Sequence, residues 1–205
     1  IDQQLGDRAS VALKLGNIGQ CYADLGDVDR ADAYLGKALQ LAEQTDDRSA
    51  AADAAISLAQ AKLQRRRIDE ALTLLERGLG FATDNRERYQ EIRALEYIAL
   101  AHLLGGQPPD GALDLARSAT ELARKMPMEV GVIYGLACQG LALSKMGRHD
   151  DATAATAEAL RLVDAGSRPQ GAEQILRWHA DVCEAAGRVD QAAAARSRAQ
   201  TVVAD

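Results

Sequence analysis

Gly26-Asp27-Val28-Asp29-Arg30-Ala31 is the stretch that decides the fold, because the chain repeats its pattern four more times. Close counterparts stand at Gly147-Arg148-His149-Asp150-Asp151-Ala152 and Gly187-Arg188-Val189-Asp190-Gln191-Ala192. Arg66-Arg67-Ile68-Asp69-Glu70-Ala71 and Gly106-Gln107-Pro108-Pro109-Asp110-Gly111-Ala112 fall in the same frame. The alanine column is Ala31, Ala71, Ala112, Ala152 and Ala192, at spacings of 40, 41, 40 and 40. The extra residue lies in the Pro108-Pro109 turn, where one added position costs little closure entropy. Two places before each alanine stands an aspartate: Asp29, Asp69, Asp110, Asp150 and Asp190. A fixed period of this length marks an array of stacked supersecondary units.

Each unit reads as two helices around that turn. Val11, Leu15, Ile18, Tyr22 and Leu25 recur with helical spacing, and Ala31, Tyr34, Leu35, Ala38, Leu39 and Ala42 do so after the turn. Gly26, Gly106, Gly147 and Gly187 supply the left-handed residue that closes a first helix. Arg66 stands there without glycine's freedom. The aspartate column is expected to cap the second helices through its carboxylates. Small residues recur at Gly19, Ala59, Ala99, Gly140 and Ala180, and at Ala38, Gly78, Ala119, Ala159 and Ala199. They let helix backbones approach closely, and each unit then gains stability by stacking on its neighbours.

Composition agrees. Forty-one of 205 residues are alanine and seven are aromatic, with 24 Lys+Arg against 30 Asp+Glu for a net charge of −6. Alanine and leucine favour helix, and too few aromatics are present to fill thick cores. No uncharged stretch approaches the roughly 18 residues of a membrane span. The acidic balance lacks the basic footprint of a nucleic-acid binder. Cys21, Cys138 and Cys183 form no dense disulfide framework, which fits a reducing, cytoplasmic setting.

Leu15-Gly16-Asn17-Ile18-Gly19-Gln20-Cys21-Tyr22, followed by Gly26-Asp27, Ala31, Leu35 and Ala38, resembles a tetratricopeptide repeat (TPR). The period is longer than that family's usual one and is similar to the long-helix variety of bacterial signalling proteins. HEAT-type repeats share the period, but the Gly-to-Ala spacing with its aspartate favours the tetratricopeptide resemblance. The second unit departs from the motif with Lys62 in its Tyr column and Arg66 in its Gly column. The resemblance implies an all-α chain, a right-handed α-solenoid superhelix of about five stacked antiparallel helix pairs. The units run roughly over 11–45, 51–84, 91–125, 131–165 and 172–203 of a single array over 1–205. Leu5-Gly6-Asp7-Arg8 is similar to the linkers at Asp47-Arg48 and Glu87-Arg88, so residues 1–10 read as the remnant and linker of a preceding repeat. On that reading the chain is a fragment of a larger protein.

No catalytic constellation stands out, so the chain is read as no enzyme, with no cofactor and no metal site. His179 and Cys183 share one helical face at ligand spacing, yet two ligands do not hold zinc, and a packed interior pair is the favoured reading. CxxC, HExxH, GxSxG and Walker patterns are absent. Arg65-Arg66-Arg67 ends a helix where cations complement its dipole.

Function must then reside in surface shape. The resemblance implies a concave groove lined by first helices, which takes an extended peptide or a helix. Its candidates are Asn17, Gln20 and Asp24 in unit one, and Asp53, Ser57, Gln60 and Gln64 in unit two. Units three and four offer Arg93, Glu96, Tyr97 and Leu100, then Tyr134, Cys138, Leu141 and Lys145. Arg177, Trp178 and Asp181 complete the set in unit five. Asn17 suits a peptide backbone because it both donates and accepts. Tyr97 and Tyr134 are expected as exposed anchors, whereas Trp178 also has a packing role open to it. The cations are too few for clamping an acidic C-terminus. These features imply a non-enzymatic scaffold for a protein or peptide ligand, with no nucleic acid and no membrane. The alternative is an effector-sensing or autoregulatory region of a bacterial transcription regulator or Ser/Thr kinase. A homodimer through exposed terminal units is open to such an array.

Overall fold

The structure, a computed structural model, describes residues 2–166 and 171–204. Ten helices follow one another: α1 (Asp2–Asp24), α2 (Val28–Gln44), α3 (Arg48–Gln64), α4 (Ile68–Asp84) and α5 (Arg88–Leu104), then α6 (Pro109–Arg124), α7 (Glu129–Lys145), α8 (His149–Asp164), α9 (Ala172–Ala185) and α10 (Val189–Ala204). Among the described residues there is no strand, as the all-α reading requires. Helices α1–α5 belong to one compact unit, residues 1–104, and α6–α10 to another, residues 105–205. The division falls between the two helices of the third repeat. Helix α1 is continuous from Asp2, so the stretch 2–10 continues directly into the first repeat's helix.

The turns explain the period. The Asp27 N–H reaches back to the Tyr22 carbonyl at 2.9 Å and the Gly26 N–H to that of Ala23 at 3.1 Å, the paired bonds of a Schellman motif. The long-reach bond recurs from Arg67 to Lys62, Arg148 to Leu143 and Arg188 to Cys183. Each turn needs one left-handed residue. Glycine supplies it at Gly26 (φ 77°) and Gly147 (φ 74°), whereas Arg66 adopts φ 58° with a side chain in place. A non-glycine residue there costs about 1–2 kcal/mol, so the departure seen in the sequence alters the residue and not the turn.

The capping expectation is corrected. The aspartate column lies one residue inside each second helix, because α2 starts at Val28 and α4 at Ile68. Asp27 is the N-cap of α2, accepting from the Arg30 N–H at 3.2 Å, and Asp47 caps α3 through the Ala50 N–H at 3.0 Å. Asp29 instead pairs with Arg65 of the next repeat, and Asp150 with Arg188 at 2.6 Å. The column still favours the positive helix end. These exposed pairs contribute little each. Arg67 is held by Glu70 at 2.5 Å, so two members of the arginine triplet are engaged, Arg67 within its own repeat and Arg65 across to the preceding one.

In the first unit α1 packs on α2, α2 on α3, α3 on α4 and α4 on α5, while α1 also touches α3 and α3 touches α5. In the second unit the chain α6 to α10 packs likewise, with α7 touching α9. Within each unit, therefore, first helices meet one another directly. The small-residue columns lie where the first and second helices of one repeat cross, as Gly19 on Leu35, Gly78 on Ile56 and Gly140 on Thr156 show. Ala59, Ala99, Ala119 and Ala180 are fully buried. A Cβ added at Gly19 would come within 2.6 Å of Leu35 Cγ, and one at Gly140 within 2.3 Å of Thr156 Cγ2.

The apolar period of α1 is not the face that packs most deeply. Ala12, Gly19 and Ala23 are buried, and Leu15 and Tyr22 pack against the same core. Val11, Ile18 and Leu25 stay 45%, 42% and 81% exposed. Lys62, in the Tyr column, is buried and bonds Asp32 at 2.5 Å, with Glu70 at 3.7 Å. A buried ammonium is tolerated because carboxylates meet it.

Candidate functional site

Contact among α1, α3 and α5 fixes the local geometry of the first unit's open face. Leu13, Asn17, Gln20 and Asp24 follow one stripe of α1 at spacings of four, three and four. The i, i+3, i+4 rule places them on one side of the helix. Gln20 Nε2 donates to Asp24 Oδ1 at 2.9 Å, stiffening that stripe. On α3 the matching stripe is Ser49, Asp53, Ser57, Gln60 and Gln64, and on α5 it is Gln90, Arg93, Tyr97 and Leu100. Where the three helices adjoin, they enclose an open cavity of about 490 Å³. Ala9, Ala12, Leu13, Gly16, Ala50 and Ala54 make its apolar wall, and Ser10, Asp47, Ser49, Asp53 and Gln90 its polar one.

Arg93 ties the seat together. Its Nη1 donates to Asp53 Oδ1 at 2.5 Å and its Nη2 to Ser57 Oγ at 3.3 Å. Its guanidinium lies 5.7 Å from the centre of the Tyr89 ring, a cation–π contact. Burial opposes the charge, but Asp53 and the tyrosines Tyr97 and Tyr89 outweigh it and hold the guanidinium more firmly protonated than usual. Glu96, three residues on, is buried. Burial pushes its carboxyl well above the ordinary carboxylate range, with Arg93 pulling the other way.

A folded acid with a raised pKa binds its proton more tightly than the unfolded chain does. Its effect on stability is neutral below the unfolded carboxylate pKa and grows unfavourable as pH rises towards the folded value. Glu96→Gln is therefore expected to be more stable than the parent at about pH 8, by on the order of 1–3 kcal/mol. The advantage should vanish below about pH 4. Urea unfolding at both pH values checks this, and an equal difference at both would refute it.

In the second unit Tyr134 and Trp178 meet edge to face, with ring centroids 6.3 Å apart and planes at 78°. Both rings pack against the core formed by Ile133, Leu136, Ile175 and Leu176. Tyr134 is thus half-buried in a packing pair, where sequence reasoning expected an exposed anchor. Cys138 is buried and Leu141 half-buried, while Lys145, Arg177 and Asp181 are exposed.

The candidates sort accordingly. Asn17, Asp24 and Gln64 are exposed, and Gln20, Asp53, Gln60, Arg93, Tyr97 and Leu100 are partly so. Ser57 and Glu96 are buried beneath that surface, and Cys138 is buried within the second unit. Sequence reasoning missed Leu13, Gly16, Ser49 and Gln90. Leu13 and Gln90 were findable by extending the stripes of Asn17 and Arg93 one turn towards each helix start. His179 and Cys183 lie in the core, Cys183 Sγ being 3.4 Å from Nε2 while Nδ1 meets Thr156 Oγ1 at 2.7 Å. Burial pushes the His179 pKa down, with help from Arg198 and Arg188, and pushes the Cys183 thiol up. A neutral imidazole and an inert thiol suit packing. Among the described residues no cluster of three or more His, Cys, Asp or Glu is placed to hold a metal. None of their helices is long and apolar enough to cross a membrane.

Residues 10–84 match the tetratricopeptide repeat family. No curated protein sequence matches the chain. Several solved structures share its fold. TTC0263, a thermophilic TPR protein of Thermus thermophilus, is 20% identical over 92% of this chain and 89% of that one, with a TM-score of 0.70. BtubC (BKLC) from P. vanneervenii is 17% identical over 99% and 91%, with a TM-score of 0.68. A putative kinesin light chain of Podosopora anserina, with nearly identical TPR-like repeats, is 15% identical over 96% of both chains, with a TM-score of 0.65. At such identities the likeness is one of fold.

Proposed function

We propose that the chain, whose residues 10–84 match the tetratricopeptide repeat family and whose fold is that of tetratricopeptide-repeat structures, is a non-enzymatic interaction scaffold that seats a peptide or helix on the first-helix face of residues 1–104. The observation that supports this reading is the cavity between α1, α3 and α5, which combines an alanine-rich wall with a polar one. Ala12, Ala50 and Ala54 leave room for a partner's apolar side chain, and burying one methylene there is worth about 0.8 kcal/mol. Asn17 presents an exposed amide to a peptide backbone. The Arg93–Asp53 pair is satisfied within the wall, so the seat selects by shape and backbone polarity more than by net charge. Cys21, Cys138 and Cys183 are all free thiols, which suits work in a reducing cytoplasm.

Panning a random peptide library against the 205-residue chain tests the reading. Selected peptides should bind Leu13→Asp at least about tenfold more weakly, the equivalent of 1.4 kcal/mol. Leu13 is 60% exposed, so the melting temperature should hardly move. Peptides that bind wild type and Leu13→Asp equally would remove the seat from consideration.

A further inference from the structure

The crevice between α1 and α3 differs from that between α3 and α5 in what fills it. In the second, Arg93 reaches from α5 onto Asp53 and Ser57 of α3, with its guanidinium against the Tyr89 ring. Asp53 and Ser49 stand 40 residues before Arg93 and Tyr89, in the same columns. On α3, short side chains thus hold the places from which long ones fill the next crevice. The cavity of about 490 Å³ is the space left. Its lining carries two carboxylates, Asp47 and Asp53, and no Lys, Arg or His.

The acceptors around that space are only partly used. Asp47 Oδ1 accepts from the Ala50 N–H, and among the described residues no cation pairs with that carboxylate. Asp53 meets Arg93 through Oδ1, while its side chain stays 49% exposed. Gln90 Oε1 is buried and has no hydrogen-bond partner among the described residues. A carboxylate offers about four lone-pair sites, so both aspartates can accept further bonds and keep those they have. A buried acceptor left unmet is costly, and a donor brought by a partner removes that cost. Opposite these groups α1 sets Ala9, Ala12 and Gly16, a wall suited to methylenes.

We propose, resting on the peptide seat read above, that the side chain it admits is a lysine of the partner. The aliphatic stem lies along α1 and the ammonium meets Asp47, Asp53 and Gln90. Lysine joins in one side chain what the two walls require, a run of methylenes ending in N–H donors. It fits better than arginine, because its donors can turn towards acceptors from the α3 cap, the α3 side and α5. A guanidinium holds its donors in one plane. A purely apolar side chain would leave the Gln90 oxygen unmet, and an acidic one would set like charges together. The partner supplies from outside the cation that Arg93 supplies from within at the following crevice. The choice concerns one side chain, so the place of the lysine matters more than the peptide's net charge.

Nonapeptides with a fixed central lysine, norleucine or glutamate and random flanks test the occupant when each pool is panned against the whole chain. Norleucine keeps the lysine stem and lacks its charge. The lysine pool should be enriched at least about tenfold over the norleucine pool, as hydrogen bonds to a charged group imply. The glutamate pool should be depleted. For a selected lysine peptide, Asp47→Asn and Gln90→Leu should each cut the preference for lysine over norleucine about threefold. Asparagine still caps α3, and helical content with melting temperature controls for folding. Equal enrichment of the lysine and norleucine pools overturns the proposal, as does a lysine preference that both variants leave unchanged. The seat is scored apart from this, by Leu13→Asp against the norleucine version of the peptide, where the added carboxylate has no ammonium to attract. Binding that Leu13→Asp weakens but that shows no lysine preference would keep the seat and remove the cation.

Discussion

Gly140→Val is expected to destabilise the chain by about 3 kcal/mol, the upper part of the range for overpacking a tight contact. The added Cβ would lie 2.3 Å from Thr156 Cγ2 and 3.0 Å from the Ala152 carbonyl oxygen, so α7 and α8 must separate to admit it. Both helices pack on further neighbours, which limits how far they can move. At about 2–4 °C per kcal/mol for a chain of this size, the melting temperature should fall by about 6–12 °C. The milder Gly140→Ala identifies the cause. Alanine gains about 1 kcal/mol of helix propensity, so a net loss of stability can only come from the contact. Thr156→Ser removes the offending methyl and keeps the hydroxyl that meets His179. The double variant Gly140→Ala/Thr156→Ser should then be more stable than the sum of its single effects predicts, by about 1 kcal/mol. Additive effects would place the strain elsewhere.

Leu75→Ala should cost about 3–5 kcal/mol, the range for emptying a fully enclosed leucine site. Leu75 is 0% exposed on α4, which packs on α3 before it and α5 after it. The cost combines lost transfer free energy with the cavity left between three helices that cannot all close on it. Because each repeat leans on its neighbours, amide protection should fall first across α3, α4 and α5. Hydrogen exchange followed residue by residue checks the location, and urea unfolding checks the size. A loss below about 1 kcal/mol would mean that the helices collapse onto the site, contrary to the close packing of an alanine-rich crossing.

Both effects concern positions whose importance was partly readable in the sequence. Gly140 belongs to a column of small residues, and a small residue repeated every 40 or 41 positions is explained by backbone approach. Leu75 shares a column with Leu35, Ala116, Thr156 and Arg196. Nothing in that mixture announces that four are sealed while the fifth is exposed. Their burial follows from the helix stacked outside each, which one unit's sequence does not contain. The candidate site divides the same way. The stripes of α1, α3 and α5 were legible because helical spacing alone puts Asn17 beside Gln20, and Arg93 beside Tyr97. The Arg93–Asp53 bond joins residues 40 apart, so it depends on how two first helices meet. Tyr134 shows the limit most plainly. A scarce aromatic off the packing columns looked like an anchor, and only its 6.3 Å approach to Trp178 shows it engaged in packing.

The sequence by itself determined the helix pairs, the turn that joins them and the places where backbones come close. Those depend on interactions within about six residues: a left-handed residue, a cap and an apolar period. Only the tertiary structure decided which side of each helix is sealed, because burial belongs to pairs of helices and not to one. Hence Val11, Ile18 and Leu25, members of the apolar period read in the first repeat, lie partly in solvent, and Ala12, Gly19 and Ala23 hold the core. A helix can bury only as much of its apolar surface as its neighbours cover.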